Sequence, residues 1–201
     1  MTAKIKLNSA SGGGSFSLQA PSSSANTRVM TLPDTADGTI LTTTNPKAGN
    51  ILQVVQTVKS DVSTFSIATE TQTADVMTIS ITPTSTSNKI LLFVNLQAQS
   101  GTSGYSYSLN RGGTEIALGD TLSNRRRMTH ATDNELSNQQ AFIGGMFLDS
   151  PATTSQVTYG IKLTHPSSNT QTIVVNNQNV TSNDNKFTVT ISTLTAMEVA
   201  G

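Results

Sequence analysis

An all-β fold, a sandwich or barrel of short strands, is what this sequence predicts, and three observations predict it. Residues 89–98, K-I-L-L-F-V-N-L-Q-A, form the densest apolar run in a chain otherwise dominated by Thr, Ser, Asn and Gln. Residues 76–82, V-M-T-I-S-I-T, alternate with period two, with Met77, Ile79 and Ile81 on one face and Val76, Thr78, Ser80 and Thr82 on the other. No apolar run keeps a 3.6-residue period, and Thr and Ser, which are poor helix formers, fill most of the gaps.

Taken in order, residues 1–48 differ from the rest. Short alternating pieces at 4–7, 15–18, 28–32 and 39–41 are separated by Gly12-Gly13-Gly14, by Pro21-Ser22-Ser23-Ser24 and by the 33–38 turn. Each offers two or three apolar residues, such as Ile5 with Leu7 and Phe16 with Leu18. So short a segment cannot enclose a core alone. A Ser/Gly/Thr-rich tract is often a linker, but linkers seldom repeat an apolar doublet between turns. Ordering by winding with copies of itself, or by docking on a partner, is the preferred reading. Residues 44–50 (T-N-P-K-A-G-N) mark the boundary, giving a segment 1–48 and a domain 49–201.

From Ile51 onward strands come at the regular spacing of a sandwich or barrel. Residues 51–58 and 62–69 alternate, the latter with Phe65 and Ile67 opposed to Thr64 and Ser66. Residues 76–82 and 89–98 are expected to be antiparallel neighbours joined through Pro83 and the 84–88 turn, with 89–98 as the central strand. Residues 105–110 and 114–118 read as a hairpin across Arg111-Gly112-Gly113, whose glycines supply the positive φ of a tight turn. Residues 140–148, Q-A-F-I-G-G-M-F-L, read as a second buried strand, with Gly144-Gly145 marking a bulge or a close backbone approach. Residues 156–163, 170–175 and 186–197 complete the set.

Composition narrows function. Charged residues are 12% of 201, balanced at 12 basic and 12 acidic, which argues against a nucleic-acid partner, since affinity for a polyanion comes from clustered Lys and Arg. Hydrophobics at 35% and aromatics at 4% are low for a self-sufficient core, and β-branched alternation favours a β-protein that completes its core by oligomerising over disorder. With no cysteine, disulfides and thiolate metal sites are excluded. No run of eighteen apolar residues exists and the N-terminus lacks an apolar core, so neither membrane insertion nor a signal peptide is expected. The glycosylation-like Asn179-Val180-Thr181 is then coincidental.

Catalytic, cofactor-binding and metal residues are not expected. His130 and His165 stand alone without carboxylates at ligand spacing. Gly12-Gly13-Gly14 lacks the lysine of a phosphate loop. Asp133 and Glu135 read as a solvated pair, and Asp184 is followed by no closing glutamate of a calcium loop. Two features can contact a receptor. Arg125-Arg126-Arg127, with His130 nearby, is either a solvated or intersubunit charge cluster or an anion-binding patch. Tyr105 and Tyr107 share one strand face, as core-rim packing or as a stacking platform for sugar.

The ordered motifs carry a resemblance. I-L-Q-V-V-Q-T at 51–57, I-S-I-T-P-T-S-T-S-N-K-I-L-L at 79–92, L-N-R-G-G-T-E-I-A-L-G-D at 109–120, F-L-D-S-P-A-T-T-S-Q-V-T-Y at 147–159 and S-T-L-T-A-M-E-V at 192–199 resemble the C-terminal β-domain of tail-fibre-like virion structural proteins of tailed bacteriophages, the marine type especially. S-G-G-G-S-F-S-L-Q-A-P at 11–21, with R-V-M-T-L-P-D-T-A-D-G-T-I-L at 28–41, looks like the short β-repeat placed before such heads. The resemblance implies a virion location and a homotrimer. Each head would be a jelly-roll-like β-sandwich, the N-terminal repeats would intertwine as a stalk, and the role would be host attachment. It implies contacts to other virion proteins through residues 1–48 and to host surface polysaccharide through polar head loops, with Tyr105, Tyr107, Arg125, Arg126, Arg127 and His130 as candidates. A capsid decoration or cement protein without a receptor ligand is the alternative.

Overall fold

A computed structural model of the chain describes residues 4–19, 22–27, 29, 46–101, 104–132, 140–178, 185 and 187–201. The chain divides into two compact units, Met1–Ile40 and Leu41–Gly201. In the first, β1 (Lys4–Asn8) and β2 (Ser15–Gln19) pair as an antiparallel hairpin. Gly12 and Gly13 turn the chain at φ 86° and 69°, which an L side chain resists. The register sets Ile5 against Leu18 and Leu7 against Phe16, so these four side chains share one face, and all four are exposed. The pieces at 28–32 and 39–41 lie outside the described residues, apart from the exposed Val29.

The second unit is a β-sandwich, and no helix occurs among its described residues. Its strands in chain order are β3 (Ile51–Lys59), β4 (Ser63–Ile67), β5 (Met77–Ile81), β6 (Lys89–Ser100), β7 (Ser106–Arg111), β8 (Thr114–Ile116), β9 (His130–Ala131), β10 (Ala141–Asp149), β11 (Val157–Thr164), β12 (Gln171–Val175) and β13 (Ser192–Val199). One sheet is organised on β6, which pairs with β10 along one edge and with β13 and then β12 along the other. Outside these lie β3 on β13 and β4 on β12. The second sheet runs β5-β11-β7-β8, with β9 also on β7. Every pairing is antiparallel.

Alternation fills the space between the sheets. Ile90, Leu92, Val94, Leu96 and Ala98 of β6 meet Met77, Ile79, Ile81, Tyr159, Ile161 and Leu163 from the facing sheet in one buried cluster. The hairpin β7–β8 turns on Gly112 and Gly113 at φ 56° and 87°, both positive as its two-residue loop demands.

Two expectations need correction, and a third is decided between its two alternatives. The strands at 76–82 and 89–98 are not neighbours: β5 pairs with β11 in one sheet and β6 lies in the other, so residues 82–88 cross between sheets. Alternation fixes which face is buried but not which strand lies alongside. Residues 140–148 do not form a buried strand. Among the described residues β10 is paired on one edge only, with Ile143 and Asp149 buried while Phe142, Met146 and Leu148 are 62%, 69% and 45% exposed. Gly144-Gly145 makes no bulge, since the register with β6 is unbroken; a Cβ on Gly144 would overlap the Phe142 ring and sit 2.8 Å from the Val94 carbonyl. The close approach expected at Gly144 is therefore present, made by the Val94 backbone carbonyl and by the Phe142 ring lying across the glycine.

Buried polar networks close the ends of the sandwich. Glu198, fully buried on β13, accepts from Thr84 N (2.6 Å), Thr84 Oγ1 (2.8 Å) and Asn88 Nδ2 (2.6 Å) on one oxygen and from Gln53 Nε2 (2.6 Å) on the other. It thereby anchors the 82–88 crossover to β13 and β3. Asn176, at φ 65°, donates to the carbonyls of Lys59 (2.8 Å) and Asp61 (3.1 Å) and accepts from Ser192 Oγ (2.6 Å). Asp149 accepts from Tyr159 Oη (2.7 Å) and pairs with Arg111 (2.8 Å).

Candidate functional site

The loop between β8 and β9 is pinned so that its arginines stand over an opening. Thr129 N–H donates to Tyr107 O (3.0 Å), and Leu109 N–H donates to Thr129 Oγ1 (2.9 Å), which ties the end of the loop to β7. Gly119 N–H reaches Met128 O (3.4 Å), drawing the two arms of the loop together. Ala117 and Ser123 take positive φ of 55° and 51°, which bends the segment away from a strand.

This loop, the 164–168 turn after β11 and the Thr69–Glu70 corner after β4 enclose a cleft of about 930 Å³. Arg125, Arg126, Arg127 and His130 all line it. Arg126 Nη1 donates to Thr71 O (3.2 Å) and to Thr164 Oγ1 (2.9 Å), and Thr164 Oγ1 donates in turn to Thr71 O (2.6 Å). Arg127 Nε donates to Gly119 O (2.5 Å). The Arg125 side chain is exposed and makes no hydrogen bond among the described residues. Thr71, Thr164 and Gly119 were not legible as partners of the arginines, because two of the three lie more than thirty residues away in sequence.

The histidines differ. His165 is buried at the cleft wall; its Nδ1 accepts from Ser167 N–H (3.1 Å), so Nε2 carries the proton and donates to Ile67 O (2.8 Å). Both ring nitrogens are thus committed to backbone. His130 is exposed and lies 6.1 Å from the Tyr107 ring, tilted by 54°.

Tyr105 and Tyr107 do not line the cleft. They are 0% and 1% exposed, which withdraws their rings from any surface contact and leaves the packing role. Tyr105 Oη donates to Ala141 O (2.7 Å). Burial raises the Tyr105 phenol well above its ordinary value and pushes Tyr107 up to about 12. Both face the core because Tyr105, Tyr107 and Leu109 share the inward parity of β7 and its approach.

Near the cleft Glu115 accepts from Gln72 Nε2 (2.6 Å). Desolvation raises its carboxyl, but the donors Gln72 and Ser108 and the charges of Arg126 and Lys162 hold it below the usual range. Among the described residues, no three His, Cys, Asp or Glu side chains gather as metal ligands would. The sequence candidates Asp133, Glu135, Asp184 and Asn179 lie outside the described residues.

A second surface is of another kind. On the outer face of the β6 sheet the register sets Val54, Met197, Leu91 and Leu148 in one row, Gln56, Thr195, Phe93 and Met146 in the next, and Val58, Thr193, Asn95 and Gly144 in a third. Phe142 lies over Gly144 in the third row. None of these side chains is charged, and Lys89 is the first charge met along β6 on this face. The outer side of the other sheet is polar: Ser80 bonds to Thr158 (2.7 Å), while Ser108 and Asn110 are buried beneath Gln72 and Asp75, which they hydrogen-bond.

No protein-family model matches this chain, and no curated protein matches it. Among solved structures it is similar to infectious bursal disease virus Gx strain at 12% identity and TM-score 0.38, covering 96% of this chain and 50% of that one. It is likewise similar to the VP2 subviral particle of infectious bursal disease virus, at 11% identity and TM-score 0.40, covering 92% of this chain and 46% of that one. T=1 particles derived from the same virus give 9% identity and TM-score 0.40, covering 92% and 49%. The chain spans about half the length of these chains, and likeness at this level carries no functional argument.

Proposed function

We propose that this chain is a structural subunit of a tailed-bacteriophage virion: a short fibre whose sandwich heads associate as a homotrimer and meet the host surface. The observation that carries this reading is the uncharged outer face of the β6 sheet, with Phe142, Met146 and Leu148 largely open to solvent in the single chain. An uncharged sheet face with large apolar side chains in the open is a liability unless another surface covers it. Further copies of the chain are the occupants that suit it, since a face without charge meets its own copy with no like-charge repulsion. The sequence resemblance to phage fibre heads supplies the number three and the jelly-roll-like form.

The hairpin β1–β2 supports a role for residues 1–48 in contact with other virion proteins. A two-stranded hairpin is marginal alone, and the exposed face of Ile5, Leu7, Phe16 and Leu18 gains stability only when covered. That cover comes from other copies winding into a stalk or from the virion.

Antibody against the head, viewed on whole particles by electron microscopy, tests the reading. Label at fibre positions on the tail or at capsid vertices is the expected result. Label spread evenly over the capsid would favour the decoration alternative, and particles free of label would end the virion reading.

A further inference from the structure

Arg125, Arg126 and Arg127 stand exposed and side by side at one cleft, and of the three only Arg126 acts on a nearby carboxylate, that of Glu115. The ion pairs among the described residues are Lys59–Asp61 and Arg111–Asp149, so Arg125, Arg126 and Arg127 enter none, although Glu70 and Asp120 line the same cleft. Three adjacent like charges repel one another, yet the loop is stapled so as to hold them together, through Thr129 to β7 and through Gly119 to both Met128 and Arg127. We propose that this cleft binds an anionic saccharide, a sugar carrying a carboxylate or phosphate, with the three guanidinium groups holding the anion.

Arg126 commits Nη1 to Thr71 O and Thr164 Oγ1, which fixes the plane of its guanidinium; its Nε–H and Nη2 hydrogens have no partner among the described residues. Arg127 commits Nε to Gly119 O, and its Nη1 and Nη2 hydrogens have no partner among the described residues. A guanidinium fixed along one edge and open along another presents paired N–H groups to an oxyanion without losing freedom on binding. Arg125, unrestrained, closes over the ligand.

The rest of the lining fits a sugar better than a bare ion. The Ser167 hydroxyl, which accepts from Asn169 N–H and Gln171 Nε2 and keeps its hydrogen to donate, and the carboxylates of Glu70 and Asp120 offer partners for sugar hydroxyls. Leu122, Met128 and Pro166 offer apolar surface to ring C–H groups. Nucleic acid is disfavoured because the chain is neutral overall, with 12 basic and 12 acidic residues, and phosphate-tracking binders need extended positive surface. The inference deepens the attachment reading and rests on it for the origin of the ligand, while binding itself stands or falls separately.

Calorimetric titration of the full chain with trigalacturonic acid, glucose 1-phosphate and neutral maltotriose tests it. At least one anionic probe should bind about tenfold or more tightly than maltotriose, and salt should weaken it. Which anionic probe binds tells carboxylate from phosphate recognition. Arg125→Ser with Arg127→Ser should lower that affinity about tenfold or more, with only the small loss in melting that the broken Arg127–Gly119 bond brings. Should that pair not fold, Arg125→Lys with Arg127→Lys keeps the charge but loses the fork, and a smaller drop is then expected. Absent or equal binding of all three probes, or undiminished binding by the variants, overturns the proposal. If the probe binds but does not block adsorption of phage to cells, the site stands and the attachment reading falls.

Discussion

Glu198→Gln probes how the two sheets are tied. The wild-type carboxylate receives four hydrogen bonds, three on one oxygen from Thr84 and Asn88 and one on the other from Gln53. The glutamine oxygen can keep the three-donor end, but its amide then faces Gln53 Nε2 at 2.6 Å, donor against donor. Turning the Gln53 amide over removes that clash and breaks its bond to Thr82 O, now 2.7 Å. Either way a polar group at this end loses its partner, the half-buried Gln53 amide in one arrangement and the more exposed Thr82 carbonyl in the other, at about 1–3 kcal/mol or less with exposure, and the remaining bonds lose their charge assistance. The net loss is roughly 2–4 kcal/mol, or about 5–15 °C in melting temperature for a chain of this size. The sign of the pH dependence follows. Burial alone raises the Glu198 carboxyl, but its donors outweigh burial and hold it below the ordinary value. A folded pKa below the unfolded one gives stability that is present at neutral pH and lost as pH falls below about 4.3 through the folded value. Denaturant unfolding of both proteins at fixed concentration, from pH 7 to pH 3, should show a gap that narrows in acid. Equal stability at pH 7 with parallel acid slopes would refute the anchoring role.

Other changes test other parts of the fold. Asn176→Ala should cost more than Asn176→Gly by roughly 1 kcal/mol in denaturant unfolding, because both lose the side-chain bonds but only alanine is strained at φ 65°. Equal losses would mean the backbone conformation is cost-free. Gly144→Ala should destabilise by about 1–3 kcal/mol and displace Phe142, seen as a changed ring signal by NMR, because the Val94 carbonyl cannot yield. A chain beginning at Gly49 should melt cooperatively yet fail to enter particles. Normal incorporation would place the virion contact in the head.

Much of this was legible in the sequence, for identifiable reasons. The inward parity of Met77, Ile79 and Ile81 and the Gly112-Gly113 hairpin follow from period two and from the φ each turn residue allows. Partnership was not legible: β5 joins β11 and β6 joins β13 across separations that no local pattern encodes. The exposed side of β10 was misread because a strand apolar on both faces looks buried on both, whichever molecule does the covering. Arg125, Arg126, Arg127 and His130 share one cleft, but Tyr105 and Tyr107, on the inward parity of β7, belong to the core. Glu198 carried a signal that went unused: it shares parity with Leu194 and Ala196, so its charge had to be buried and therefore hydrogen-bonded.

The uncharged face as the contact between copies is tested most directly by mass in solution. Sedimentation equilibrium at micromolar concentration should give three times the 21.1 kDa chain mass for the wild type. Met146→Asp puts a charge where the side chain is 69% exposed in the single chain, so it should leave the fold of each chain intact, by circular dichroism, while the trimer dissociates at a much higher concentration than the parent. A monomeric wild type, or a Met146→Asp trimer as stable to dilution as the parent, would contradict the account.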